Sequence, residues 1–216
     1  PYSIVAALIA LMLKLDEILE YLSNAQRSDG SWLWGVGDQE RAAIKNGTVS
    51  ESDDEREMRR MENTGLALLA LLGDGHTPER GLHAETVKRG LDFLLERQHE
   101  SGGFVTLEKS GGKVWFDWPH ADAICTFALV EAYALTKDAA LRQGMKLGLE
   151  RLLQAQIAEG GKLQIGGFPY SQPRQRNVSP RADIMTTAWV AQALRAAQAA
   201  GWKHVSLQQA REAIDK

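Results

Sequence analysis

Residues 84–104 read AETVKRGLDFLLERQHESGGF. Ala84, Val87, Leu91, Leu94 and Leu95 fall on one helical stripe, and Glu85, Lys88, Arg89, Asp92 and Glu96 fall on the other side. The spacing predicts an amphipathic helix with one dry face. Gln98 closes it, and Gly102 and Phe104 follow at fixed distance. Glycine at that point suits a helix C-cap in the left-handed conformation, and the aromatic ring after it can pack back over the helix end.

The same signature, glutamine, three residues, glycine, one residue and an aromatic, occurs upstream as Gln26, Gly30 and Trp32. A third copy after Gln156 is degenerate, with Gly160-Gly161 and a delayed Gly167-Phe168-Pro169-Tyr170. Between the signatures lie stretches almost free of charge: 64–72 has none, 123–136 only Glu131, and 184–200 only Arg195. Helices apolar all round are buried all round. Thr64-Gly65-Leu66-Ala67-Leu68, Cys125-Thr126-Phe127-Ala128-Leu129 and Thr186-Thr187-Ala188-Trp189-Val190 align at two equal offsets of 61 residues. That register places Asp122 over Asp183 and His120 over Arg181, each just before a buried helix.

Composition agrees with a helical repeat. Alanine and leucine far outnumber valine and isoleucine, and no stretch alternates with period two, so the expected class is all-α. About seven helices are expected: one around 3–25, then pairs near 57–72 and 83–98, 120–135 and 139–156, and 181–200 and 204–215, with a polar loop over 35–56. The chain reads as one repeat domain over 1–216, with repeats near 57–104, 120–168 and 181–216 and the first helix belonging to a preceding repeat. With 44% apolar and 25% charged residues over 216 positions it has enough surface to bury a core, which excludes disorder. The net charge of −3 gives no electrostatic support for nucleic acid or anionic membrane. The longest apolar run, Ile4–Leu13, is ten residues, whereas a spanning helix needs roughly twenty. No signal-peptide pattern flanks that run, and an opening at Pro1 that looks like mid-helix suggests a piece of a longer chain or a processed form. The single cysteine, Cys125, excludes an internal disulfide and fixes no compartment; inside an apolar stretch it reads as core.

Arg89-Gly90, Phe93-Leu94, Gln98, Gly102 and Phe104 together resemble the QW motif of the terpenoid cyclase and protein prenyltransferase superfamily, with phenylalanine for its terminal tryptophan. Tyr21-Leu22, Gln26, Gly30 and Trp32 match the second half of that motif with the tryptophan in place. The resemblance implies an α/α toroid, an inner ring of helices inside an outer ring. Seven helices would make about half a ring of that family or a small three-repeat version. An array that stops leaves apolar edges, which a homo-oligomer or the remainder of a longer parent chain would cover.

Scaffold resemblance does not carry chemistry. The Asp-x-Asp-Asp acid of the class II cyclases is absent. The zinc set of the prenyltransferases needs an aspartate and cysteine two apart with a distant histidine, whereas Asp122 and Cys125 are three apart. Cys125 has no Glu-Gln partner for an internal thioester. Asp53-Asp54-Glu55-Arg56-Glu57 looks like the magnesium motif of class I terpene synthases, but the second metal motif is missing, and the run reads as a solvated acidic loop. His76 belongs to a turn, and no metal and no cofactor are expected.

The remaining candidate is Trp115-Phe116-Asp117-Trp118-Pro119-His120-Ala121-Asp122, with Arg174, Arg176, Pro180, Arg181 and Asp183 in the next repeat, preceded by Phe168 and Tyr170. In a toroid these loops surround one mouth of the central cavity. Asp117, His120 and Asp122 are the candidate acids and bases, and Trp115, Trp118, Tyr170, Arg181 and Asp183 the candidate ligand contacts. The same residues have structural readings: an aspartate can cap the helix, Pro119 can set its first turn, and the tryptophans can cover the core. Phe127 and Trp189 could fill the centre. Three functions follow: a ligand-binding or interaction module taking an apolar small molecule, an enzyme acting on an isoprenoid or other apolar substrate, and a carbohydrate-active α/α domain.

Overall fold

A computed structural model describes residues 4–33, 53–109, 114–158, 164–170, 172–173 and 181–203. Among them are six helices: α1 (Ile4–Asn24), α2 (Asp53–Gly73), α3 (Ala84–Arg97), α4 (Pro119–Thr136), α5 (Ala139–Gln154) and α6 (Ile184–Ala199). The expected helix over 204–215 lies outside the described residues. The chain is helical in class, as its composition requires.

The charge-poor segments lie in α2, α4 and α6, with α4 packed between the other two; burial all round, expected of all of them, is approached by α4 alone, since α2 leaves Leu66 and α6 leaves Ile184 and Met185 exposed where no described helix packs on them. Gly65 permits the approach of α2 to α4, because a methyl group there would press on Ile124 and the adjoining backbone. The amphipathic helices form a second rank: α3 packs on α2 and α5, and α5 on α3, α4 and α6. On α3 the stripe is used as the sequence dictates, with Val87, Leu91 and Leu94 buried. α1 packs on α2 through the buried Leu19 and Leu22.

The glutamine signature joins the end of one helix to the next helix of the second rank, and the aromatic after it bonds to the first rank. The Gln26 side-chain amide donates to the carbonyls of Gly30 (2.9 Å) and Thr86 (2.9 Å), tying its own turn to α3. Gln98 donates to Gly102 (3.1 Å) and to Gly144 in α5 (2.9 Å). The turn glycines Gly30 and Gly102 have φ of 87° and 86° and lie against the carbonyls of Arg89 and Leu147 in the next helix. The aromatics that follow, Trp32 and Phe104, are buried, and the Trp32 indole donates to the Leu22 carbonyl at 2.7 Å.

Three expectations need correction. The third copy uses Gly166 and not Gly167: Gln156 donates to the Gly166 carbonyl at 3.0 Å, Gly166 has φ 87°, and Phe168 is the buried aromatic, while Gly160-Gly161 lie outside the described residues. Extra residues between Gln156 and Gly166 hide the spacing while the bond from the glutamine to the turn glycine persists. The acidic run does not stay in the loop: α2 begins at Asp53, where carboxylates favour the positive end of the helix dipole, and Glu57 pairs with Arg60 (3.1 Å) and Arg97 (2.7 Å). The helices are also joined by a small antiparallel sheet in the order β1 (Thr106–Lys109), β2 (Val114–Asp117), β3 (Gln172–Pro173). Its register pairs Thr106 with Asp117, and Asp117 with Gln172. Strands of at most four residues are too short for period-two alternation to be legible.

If the joint holds the ranks together, Gly102→Ala must strain both the left-handed backbone and the Leu147 contact. It should cost about 2–4 kcal/mol in chemical denaturation. Gln98→Ala, which deletes two hydrogen bonds, should cost about 1–3 kcal/mol in the same measurement.

Candidate functional site

Each buried helix needs a partner for the backbone N–H of the aromatic in the turn before it. Trp32 donates to the Thr64 hydroxyl (3.0 Å) and Phe168 to the Thr187 hydroxyl (3.0 Å). In the middle repeat Phe104 donates to the Asp122 carboxylate at 2.8 Å. Asp122 is 1% exposed, and Arg151 of α5 approaches its other oxygen at 3.8 Å. This candidate base therefore faces the second rank and holds a turn. The structure does not bring it to the cluster described next.

Two residues earlier on α4, about half a turn around the helix, His120 faces the other way. It lies between α2 and α6, with Nδ1 3.1 Å from the Thr186 hydroxyl and Nε2 3.9 Å from Glu62 Oε1. Asp183 caps α6, accepting from the Thr186 N–H (2.7 Å) and the Thr186 hydroxyl (2.7 Å). Tyr170 completes the group: its ring centroid is 5.0 Å from that of His120 and 5.6 Å, edge-on, from that of Trp118. Its hydroxyl lies 3.9 Å from Met58 Sδ, one turn before Glu62 on α2. Residues from three repeats thus converge where α4 and α6 begin.

Four of the candidates, Trp118, His120, Tyr170 and Asp183, come together. Arg181 is exposed next to them in sequence. Trp115 and Asp117 lie on β2, four and two places before Pro119, and their side chains lie outside what is described, as do Arg174, Arg176 and Pro180. The member that sequence reading missed is Glu62. Its signal was available: in the 61-residue register it stands where the other repeats have Ala123 and Ile184, a carboxyl at a position that is otherwise apolar.

The environment moves several protons. Burial pushes the Glu62 carboxyl up to about 7, against the opposing pull of Arg59. Burial lowers the His120 imidazole, opposed by the Asp183 carboxylate. Asp183 is held below the usual carboxylate range, chiefly by the Thr186 N–H. Tyr170 is raised by burial and then by the Glu62 and Asp183 charges. Glu62 and His120 do not form an ion pair: 3.9 Å is too long for a hydrogen bond, and burial drives each toward its neutral form.

Cys125 is fully buried, its thiol pushed well up by burial and directed at the Met61 carbonyl at 3.4 Å, as suits a core residue. Among the described residues no group of three histidine, cysteine or carboxylate side chains could hold a metal ion. A separate groove of about 580 Å³ runs between α5 and the turn after α6, lined by Arg142, Lys146, Glu150 and Trp202; none of the cluster lines it. No helix among the described residues is long and apolar enough to cross a membrane. Compared with known protein families, curated proteins and solved structures, the chain finds no match.

Two outcomes follow. The folded chain holds the Glu62 proton more tightly than the unfolded chain, so its burial costs nothing below pH 4.5 and most above about 7. Glu62→Gln should therefore raise stability by about 1–3 kcal/mol at pH 8 and leave it unchanged at pH 4, read from denaturation curves at both. Asp122→Ala, which strands the buried Phe104 N–H, should cost about 2–4 kcal/mol at either pH.

Proposed function

We propose that this chain is a repeat domain of the squalene cyclase and prenyltransferase type, an α/α toroid without the known catalytic motifs. It serves as a ligand-binding module whose site is the mouth at the start of α4 and α6. The convergence of Glu62, His120, Tyr170 and Trp118 carries this reading: titratable groups from different repeats, set against aromatic rings, make the mixed apolar and polar lining that small-molecule sites use. The toroid reading draws on the glutamine turn, present three times, on the bonds by which two of its copies reach the next amphipathic helix, and on the two ranks of helices. Trp115, Asp117 and Arg181 belong to the same mouth by their place in the sequence.

One observation favours a second reading, an enzyme working by acid and base. Thr186 spends its single proton on Asp183, so His120 must donate through Nδ1 and keeps a free lone pair on Nε2 beside the proton-bearing Glu62. Glu62 then takes the partner role that Asp117 or Asp122 was expected to fill. The carbohydrate reading draws on the same aromatic rings and paired acids.

A native mass spectrum of the purified chain should carry a small-molecule adduct that Tyr170→Ala and His120→Ala lose. A bare spectrum for the wild type would remove the main support for a ligand. The subunit number in the same spectrum tests a homo-oligomer. Under the enzyme reading His120→Ala abolishes turnover and leaves the fold intact; unchanged turnover would refute it.

A further inference from the structure

We infer that the Glu62–His120 pair is built to hold a hydroxyl group, so that the ligand of this mouth is an alcohol whose body lies against the rings of Tyr170 and Trp118. This rests on the ligand-binding reading and narrows it.

The hydrogen-bond roles leave little freedom. The Thr186 hydroxyl donates to Asp183 at 2.7 Å, so toward His120 Nδ1, 3.1 Å away, it can only accept. The network thereby assigns the imidazole proton to Nδ1 and leaves Nε2 as an acceptor. Nε2 faces Glu62 Oε1 across 3.9 Å, and Oε1 is buried without a hydrogen-bond partner. The charged or titratable groups around Glu62 are Arg59 on its own helix, His120 and the buried Cys125 thiol on α4, and Tyr170 in the loop before α6. With the Glu62 carboxyl raised to about 7, it keeps its proton at pH 6.

An acceptor and a donor therefore stand 3.9 Å apart without bonding to each other, and an oxygen placed beside the pair reaches both. The group that satisfies both must donate to Nε2 and accept from the carboxyl. A hydroxyl does both. An ether or carbonyl can only accept, an ammonium can only donate, and a carboxylate would bring a charge to groups already pushed to their neutral forms. Water offers the same two bonds, so a ligand hydroxyl replaces like with like and gains ring contact besides. Tyr170 is 39% exposed, and its hydroxyl lies 3.9 Å from Met58 Sδ on α2.

The chemistry fits an apolar alcohol or a saccharide, and one experiment separates them. Calorimetric titration of the full chain at pH 6 uses farnesol and farnesyl methyl ether, cellotetraose and permethylated cellotetraose. We expect one hydroxyl compound to bind and its ether to bind at least tenfold more weakly, with the member that binds naming the source. His120→Phe should erase the preference for hydroxyl over ether. Thr186→Val, close in shape, should shrink it by unfixing the Nδ1 proton. Glu62→Gln should retain it, because an amide N–H donates in place of the carboxyl. Equal binding of alcohol and ether, or a hydroxyl preference that survives both His120→Phe and Thr186→Val, overturns the hydroxyl inference and leaves a ligand site standing. Binding of none of the four by folded wild-type chain overturns both.

Discussion

A glutamine side-chain amide at the end of a helix, spent on two backbone carbonyls at once, is the constraint on which this structure depends. One bond closes the glutamine's own turn and the other reaches into the next amphipathic helix, at Thr86 from Gln26 and at Gly144 from Gln98. Both acceptors are backbone groups, so the contact fixes the position of a helix rather than the choice of a side chain. The turn glycine must then lie flat on that helix, and the aromatic after it is delivered into the core. Each copy sets the place of the next buried helix, because the aromatic's N–H seeks an acceptor there.

The helix α4 shows how scaffold and site share one element. Asp122 and His120 are two residues apart and point to opposite sides. One holds the turn against α5; the other stands between α2 and α6. In sequence the two look like one cluster of acid and base. In the folded chain the acid belongs to the joint, and the histidine finds its carboxyl on α2, 58 residues upstream. The middle repeat uses aspartate where the flanking repeats use threonine hydroxyls, which leaves a carboxylate whose chemistry is spent on structure.

Much of the fold was legible because its causes are local. The stripe Val87, Leu91 and Leu94 sets the dry face of α3, and the charge-free run from Thr64 to Leu72 marks a helix that buries Ala67, Leu68, Leu71 and Leu72, although Leu66 stays exposed. The spacing of Gln98, Gly102 and Phe104 specifies a turn. Where spacing failed, the hydrogen bonds did not: the insertion before Gly166 conceals the third turn from a pattern but not from Gln156. The acidic residues at Asp53 read as loop because they are polar on every side, yet the first turn of a helix is where carboxylates are most welcome. The three-stranded sheet leaves no trace in so few residues.

The sequence by itself determined the helical class, the amphipathic stripe of α3 and the glycine turns that end the helices, since periodicity, capping and turn chemistry act over a few residues. It also brought Trp118, His120, Tyr170 and Asp183 under suspicion. Only the tertiary structure decided that Glu62 stands 3.9 Å from His120, that Asp122 turns to the other side of α4, and that Nδ1 of His120 faces the Thr186 hydroxyl. Those facts depend on which side chains three separate helices bring within a few ångströms, and on a chain of hydrogen bonds from Asp183 through Thr186 that no spacing along the sequence encodes.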